Sequence, residues 1–91
     1  MAIVVRRTPV GLTADQYDEG IRRLADAGLG HPPGRLFHVC FGEPGNLMVS
    51  DVWESRETYD KFSETLMPIL EDVGIDPGGI AFLEVHNSIP G

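Results

Sequence analysis

The sequence predicts an α+β domain in which two helices and four strands follow the order β-α-β-β-α-β. Two segments repeat apolar residues at helical spacing, and four short segments are rich in β-branched and aromatic residues. Turns rich in glycine and proline separate these segments. The 91 residues are enough for one domain and too few for two, so we interpret residues 1–91 as a single domain.

The first strand and the first helix have clear signals in the sequence. Residues 2–7 (AIVVRR) are short and β-branched, which predicts a strand that ends near Pro9. Thr13 and Gln16 have the spacing of a capping box, in which each side chain accepts from the other residue's backbone N–H. We therefore predict a helix over residues 13–27.

A β-hairpin is predicted for the middle of the chain. The preceding loop, 28–34 (GLGHPPG), is too rich in glycine and proline for regular structure. Residues 35–41 and 46–53 are both β-rich, and residues 42–45 connect them. This connection has proline followed by glycine, the centre of a type II turn, so the second segment is predicted to fold back on the first.

The second helix and the last strand complete the domain. Ser55 is the predicted N-cap of the helix, and Pro68 is predicted to kink or split it near Met67. Its apolar stripe comprises Tyr59, Phe62, Leu66, Ile69, Leu70 and Val73. Residues 74–79 read as a loop, and residues 80–87 (IAFLEVHN) predict the last strand.

This order of elements is that of the ferredoxin-like fold, in which the sheet order 4-1-3-2 leaves both helices on one face. The two strands of the hairpin are apolar on both faces. We expect one face to carry Asp51 with Phe37, Val39, Phe41, Leu47, Val49 and Trp53. We expect the other to carry His38 and Ser50 with Leu36, Cys40, Met48 and Val52. Because the helices cover only one face, the other is expected to pack on a second copy of the chain.

Composition and charge exclude several classes of function. Fourteen acidic residues against seven Lys and Arg give a net charge of −7 and a pI near 4.7. A nucleic-acid or anionic-membrane binder would carry a basic face, so neither partner is expected. The single cysteine, Cys40, excludes an intrachain disulfide, and no segment resembles a signal peptide or a membrane span. We therefore expect a soluble cytoplasmic protein.

Residues 49–59 (VSDVWESRETY), together with the element order and the apolar second face, resemble the dimeric α+β barrel superfamily. Within it the chain is similar to the antibiotic-biosynthesis-monooxygenase-like group. There a strand typically ends in Trp-Glu-Ser and leads into a helix with an aromatic residue, a pattern that Trp53 and Tyr59 match. The resemblance implies a homodimer and a cofactor-free enzyme, with no metal.

The sequence also departs from the enzymes of this superfamily. Val49 stands near the position expected for the asparagine of the cofactor-free members, and Asn46 lies at a different spacing. Haem-degrading members have an asparagine on the first strand and a histidine on the second helix. This chain has neither, so the missing ligand disfavours haem degradation.

The first candidate site lies on the face that holds Asp51. A carboxylate there can act as the catalytic base, while the rings of Trp53, Tyr59 and Phe37 bind an aromatic substrate between sheet and helices. The alternative is structural: Trp53 fills the core and Asp51 accepts a hydrogen bond from a neighbour.

The second candidate site is expected on the opposite face. His38, as a catalytic proton carrier, would have Ser50 as a neighbour and Cys40 beside it. The pair His38 and Cys40 lacks the third ligand that a metal site needs. His86 near the end of the last strand is a further candidate for contact with substrate, alongside Glu84; the alternative is a solvated edge.

Three functions remain open on these residues. The leading hypothesis is a cofactor-free monooxygenase that acts on a small aromatic or polyketide-like substrate in a pocket between sheet and helices. The second is a small-molecule-binding or accessory dimer without catalytic activity. The third is an isomerase or cyclase that uses the same pocket. The enzymatic hypotheses require a cavity that solvent can reach, and the second predicts a filled core with paired polar groups.

Overall fold

The computed structural model describes all 91 residues and contains the six predicted elements in the predicted order. The elements are β1 (Ile3–Val10), α1 (Ala14–Asp26), β2 (Arg35–Glu43), β3 (Asn46–Trp53), α2 (Arg56–Val73) and β4 (Asp76–Glu84). The four strands form one antiparallel sheet in the order β2-β3-β1-β4, which is the predicted order read from the other edge. Neither helix has the length and apolar character needed to cross a membrane.

Both helices begin at the residues that the sequence indicates. Thr13 and Gln16 form the complete capping box of α1, and the Ser55 side chain accepts from the backbone N–H of Thr58 at the start of α2. Pro68 does not split the helix, because α2 continues through it without interruption, so that half of the prediction is wrong. Pro68 is exposed while Leu70 is buried, so packing holds the helix together where proline removes a backbone donor.

The end of β1 and the start of β4 differ from the prediction. β1 continues past Pro9 to Val10, because a register shift after Thr8 accommodates the missing proline N–H. β4 begins four residues earlier than predicted, at Asp76. This residue pairs with Val10, on the far side of the register shift. Gly78 has a φ of +60°, and a Cβ there would lie 2.0 Å from the Thr8 carbonyl oxygen, so the close approach of the strands requires glycine.

The register of the hairpin corrects the predicted faces. Glu43 pairs with Asn46, so the connection is a two-residue loop, and Gly45 in that loop has a φ of +80°. In this register an even-numbered residue of β2 lies opposite an odd-numbered residue of β3, as in the pair His38 and Asp51. The prediction placed odd residues of both strands on one face, and it is wrong because one residue of register inverts a strand.

The two faces of the sheet have different coverings. Both helices pack on one face, and the buried residues between them and the sheet are Ile3, Val5, Leu24, Trp53, Tyr59 and Phe62. The opposite face, which we call the outer face, is covered by no element of the chain. Its apolar residues are Val4, Phe37, Val39, Phe41, Met48, Val52 and Leu83. Phe37 and Leu83 are 60% and 53% exposed, respectively.

Candidate active site

A buried carboxylate lies at the centre of the helix-covered face. Asp51 of β3 is 7% exposed, and its Oδ2 accepts a hydrogen bond of 3.3 Å from the indole nitrogen of Trp53. Its Oδ1 lies 2.5 Å from Nδ1 of His38, which is directly opposite on β2. Both carboxylate oxygens therefore have a partner, as burial of a charge requires.

The other nitrogen of the His38 ring contacts a tyrosine from α1. The hydroxyl of Tyr17 lies 2.5 Å from Nε2 of His38. Burial, together with the negative charges of neighbouring groups, raises the pKa of Tyr17 to about 12. The phenol is therefore neutral near pH 7. An ionised carboxylate can only accept, so Nδ1 of His38 carries a hydrogen and donates it to Asp51, and Nε2 of the neutral imidazole accepts from the Tyr17 hydroxyl.

An apolar cavity of about 80 Å³ opens beside this chain of hydrogen bonds, between the sheet and both helices. Eleven of its seventeen lining residues are hydrophobic. Its polar lining consists of Arg7, Tyr17, Arg35, His38, Asp51 and the hydroxyl of Tyr59. Arg7 donates to that hydroxyl at 2.7 Å and to the Pro77 carbonyl at 3.5 Å. The site thus combines a base, a guanidinium and an apolar wall.

The raised pKa of Tyr17 has a direct test. We expect the rise in tyrosinate absorbance that accompanies ionisation of Tyr17, the late step of the titration, to occur near pH 12. The ordinary tyrosine pKa is 10.0. Because the folded state holds this proton more tightly, the associated stability is complete below pH 10 and is lost as the pH rises through 12. The Tyr17→Phe variant should lack the late step, whereas a late step that persists in this variant contradicts the assignment.

The structure brings together several residues that the sequence singled out. Asp51 and His38, predicted for opposite faces, form one hydrogen-bonded pair, and Tyr59 lines the cavity. Trp53 is fully buried and outside the lining. Its ring packs edge-on against Tyr59 at a centroid distance of 5.7 Å, so its contact with the site is the hydrogen bond to Asp51.

Three other candidates lie away from this site. Phe37 and Ser50 project from the outer face, because the hairpin register pairs them with Val52 and Val39 instead of with Asp51 and His38. His86 lies beyond the end of β4 and is exposed, since that strand stops at Glu84. The predicted contacts of Phe37, Ser50 and His86 with the site are therefore absent from the structure.

Two residues of the site were missed in the sequence. Arg7 looks like a solvated cation in the sequence, yet alternation along β1 places it on the same face as Ile3 and Val5. Tyr17 has the helical spacing of a packing residue of α1. Its hydroxyl reaches His38 only because the hairpin register turns His38 toward the helices, and no local signal gives that register.

The arrangement is suited to proton transfer. Asp51 fixes the orientation and tautomer of His38, and the lone pair of Nε2 accepts from the hydroxyl of Tyr17, which itself lines the cavity. No cluster of three or more His, Cys, Asp or Glu side chains is placed to hold a metal ion.

No family model matches this sequence, and no curated protein matches it. Solved structures match over nearly the whole chain. SnoaB, a cofactor-independent oxygenase from Streptomyces nogalater, has a TM-score of 0.64 at 18% identity, covering 99% of this chain and 96% of SnoaB. A single-substitution variant of SnoaB gives a TM-score of 0.67 at 17% identity, with coverage of 99% and 97%.

A third structure comes from Deinococcus radiodurans and is described as a "putative antibiotic biosynthesis monooxygenase". Its TM-score is 0.63 at 14% identity, and the match covers 99% of this chain and 97% of the other. At these identities the likeness shows a shared fold. The fold predicted from the element order and from the resemblance is therefore confirmed.

Proposed function

We propose that this protein is a cofactor-free monooxygenase that acts on a small hydroxylated aromatic molecule bound in the cavity. The observation that carries the proposal is the chain Asp51–His38–Tyr17, which presents an oriented imidazole to an apolar space. The shared fold with SnoaB, itself a cofactor-independent oxygenase, supports the choice of reaction.

The proposed reaction begins with proton abstraction. The substrate hydroxyl takes the place of the Tyr17 hydroxyl at Nε2 of His38 and transfers its proton to the imidazole. Asp51 stabilises the imidazolium that forms, and the apolar lining excludes water from the resulting phenolate. Proton removal makes the aromatic ring electron-rich enough to reduce O₂.

The remaining steps balance without a cofactor. The phenolate gives one electron to O₂, and the radical pair combines at the ring carbon para to the oxygen to form a peroxide anion. His38 returns its proton to the peroxide, and the hydroperoxide loses water as its O–O bond breaks and the para C–H proton leaves. One phenol and one O₂ thus give one quinone and one H₂O.

The size of the cavity limits the substrate. An engineered protein cavity of about 150 Å³ holds one benzene molecule, and the space here is about 80 Å³. Entry of a ring therefore requires a side chain to move outward. Tyr17 is half-buried at the α1 side, and its displacement both enlarges the space and frees Nε2 of His38.

The test is oxygen transfer from isotopically labelled O₂ to a naphthol. We expect the purified protein to accelerate oxygen uptake above the rate of autoxidation and to place one labelled atom in the naphthoquinone. Uptake without label in the quinone, or no acceleration across a panel of naphthols and hydroxyanthracenes, would contradict the proposal. Conversion of the substrate under argon would favour an isomerase or cyclase instead.

We also propose that the protein acts as a homodimer joined through the outer face. One row of apolar side chains, Phe37, Val52, Val4 and Leu83, crosses this face next to the pair Arg6 and Ser50, and Phe37 and Leu83 in that row are 60% and 53% exposed. A contiguous exposed apolar surface of this kind is unusual on a monomer. A second sheet covers it with the same residues, as a two-fold interface requires.

Phe37→Glu is expected to weaken this dimer by at least about 30-fold, because it places a charge in an apolar interface. Sedimentation velocity at micromolar concentration should show a dimer for the wild type and a monomer for the variant. The control is Met67→Glu, which adds the same charge at a partly exposed position on α2. A monomeric wild type would overturn the proposed assembly.

A further inference from the structure

We infer that the cavity takes an aromatic substrate that carries a carboxylate, and that Arg7 is the residue that selects it. The inference rests on the proposed function in taking the cavity as the substrate site and in placing the substrate hydroxyl at His38. Arg7 itself has no role in the proton transfer described above.

Arg7 is a half-buried cation without an anionic partner in the chain. The ion pairs of the protein involve Arg22, Arg23, Arg56 and His38, and none involves Arg7. Its two hydrogen bonds go to neutral acceptors, the hydroxyl of Tyr59 and the carbonyl of Pro77. A guanidinium has five N–H groups, so it retains donors for a ligand.

The charges around the cavity favour an anion there. Asp51 is the only acidic residue in the lining, and both of its oxygens are already bonded, to His38 and Trp53. Arg7 and Arg35 bring two positive charges to the same lining. The cavity is thus locally positive in a protein whose net charge is −7, which attracts an anion to this point of the surface.

The positions of Arg7 and His38 set the form of the ligand. Both lie on the helix-covered face, Arg7 on β1 and His38 on β2, with β3 between them. Two strand spacings, each about 4.8 Å, separate the strands. An aromatic ring with a hydroxyl at His38 therefore spans toward Arg7, where a carboxylate meta to that hydroxyl meets the guanidinium and leaves the para C–H free for oxygenation. The hydroxyl of Tyr59 lies beside this position.

Arginine suits this role because its planar donors match the two oxygens of a carboxylate. A hydrogen bond to a charged group in such a setting corresponds to about 10- to 100-fold in affinity. A neutral amide of the same shape lacks the charge and gains little from Arg7. The ratio of acid to amide affinity is therefore the quantity that isolates this residue.

The experiment is calorimetric titration with meta-hydroxybenzoate and meta-hydroxybenzamide, which both keep a C–H para to the hydroxyl. We expect the wild type to bind the acid at least about tenfold more tightly than the amide. Arg7→Gln should reduce this ratio to near one. Arg7→Lys should leave an intermediate ratio, because lysine keeps the charge but lacks the planar pair of donors that matches a carboxylate. Lys61→Gln, at an exposed position with no hydrogen bond, should leave the ratio unchanged.

Three results overturn the inference: equal affinities in the wild type, a preference that survives in a folded Arg7→Gln, or no binding of either compound. The comparison of acid and amide in the wild type decides the matter even where Arg7→Gln does not fold. Naphthol oxygenation is measured on the same preparations. Oxygenation without a preference for the acid contradicts only the role of Arg7, whereas a preference without oxygenation contradicts only the proposed reaction.

Discussion

His38→Gln is expected to lower the rate of naphthol oxygenation by about 100- to 10,000-fold, the usual contribution of a positioned general base. Glutamine keeps a polar group near Asp51 but cannot accept a proton at neutral pH. The loss should appear mainly in kcat, because the apolar lining that binds the ring is unchanged. Steady-state oxygen uptake, corrected for autoxidation, measures it.

Two further variants show whether the loss of oxygenation rate depends on the hydrogen-bonded pair of His38 and Asp51. Asp51→Asn offers His38 an amide in place of a carboxylate, which removes the charge that stabilises the imidazolium, so a similarly large loss is expected. His31→Gln changes an exposed loop histidine and should leave the rate unchanged. Full activity in a folded His38→Gln protein would remove the proposed base from the mechanism.

Trp53→Ala is expected to lower the free energy of unfolding by about 3–5 kcal/mol. The ring is fully buried and packs against Tyr59 and Phe62 at centroid distances of 5.7 and 5.0 Å. The substitution leaves a large void and also removes the hydrogen bond to Asp51. Since domains are stable by only about 5–15 kcal/mol, urea denaturation followed by circular dichroism should show a large shift of the midpoint.

Trp53→Phe separates packing from hydrogen bonding. It keeps an aromatic ring in the core but leaves Oδ2 of Asp51 without its indole donor, so an intermediate loss is expected. Met67→Ala, at a position 39% exposed, serves as the surface control and should cost under about 1 kcal/mol. A Trp53→Ala protein nearly as stable as the wild type would show that this ring is not central to the core.

The local signals in the sequence predicted most of the fold. Thr13 and Ser55 cap the helices as predicted, because a capping interaction involves residues three positions apart. The sheet order also follows from the order of the elements. The ends of β1 and β4 were harder to predict. The glycine-rich segment 76–79 has the composition of a loop, and it forms a strand only because it pairs with β1.

The site was harder to predict because it depends on the pairing of distant residues. The sequence singled out both Asp51 and His38, but the length of the hairpin loop decides whether they share a face. The loop closes with two residues, and the residues flanking it already belong to the strands. Arg7 and Tyr17 join the site from β1 and α1, and their partners are more than twenty residues away.

The hydrogen bond between Trp53 and Asp51 also makes the protein its own optical reporter. Trp53 is the only tryptophan, and its fully buried indole should emit at short wavelength. Through Asp51 it is two hydrogen bonds away from His38, so a change in the charge of that imidazole alters the field at the excited ring. Stopped-flow measurement of the intrinsic fluorescence therefore follows ligand entry and proton transfer at this site without a label.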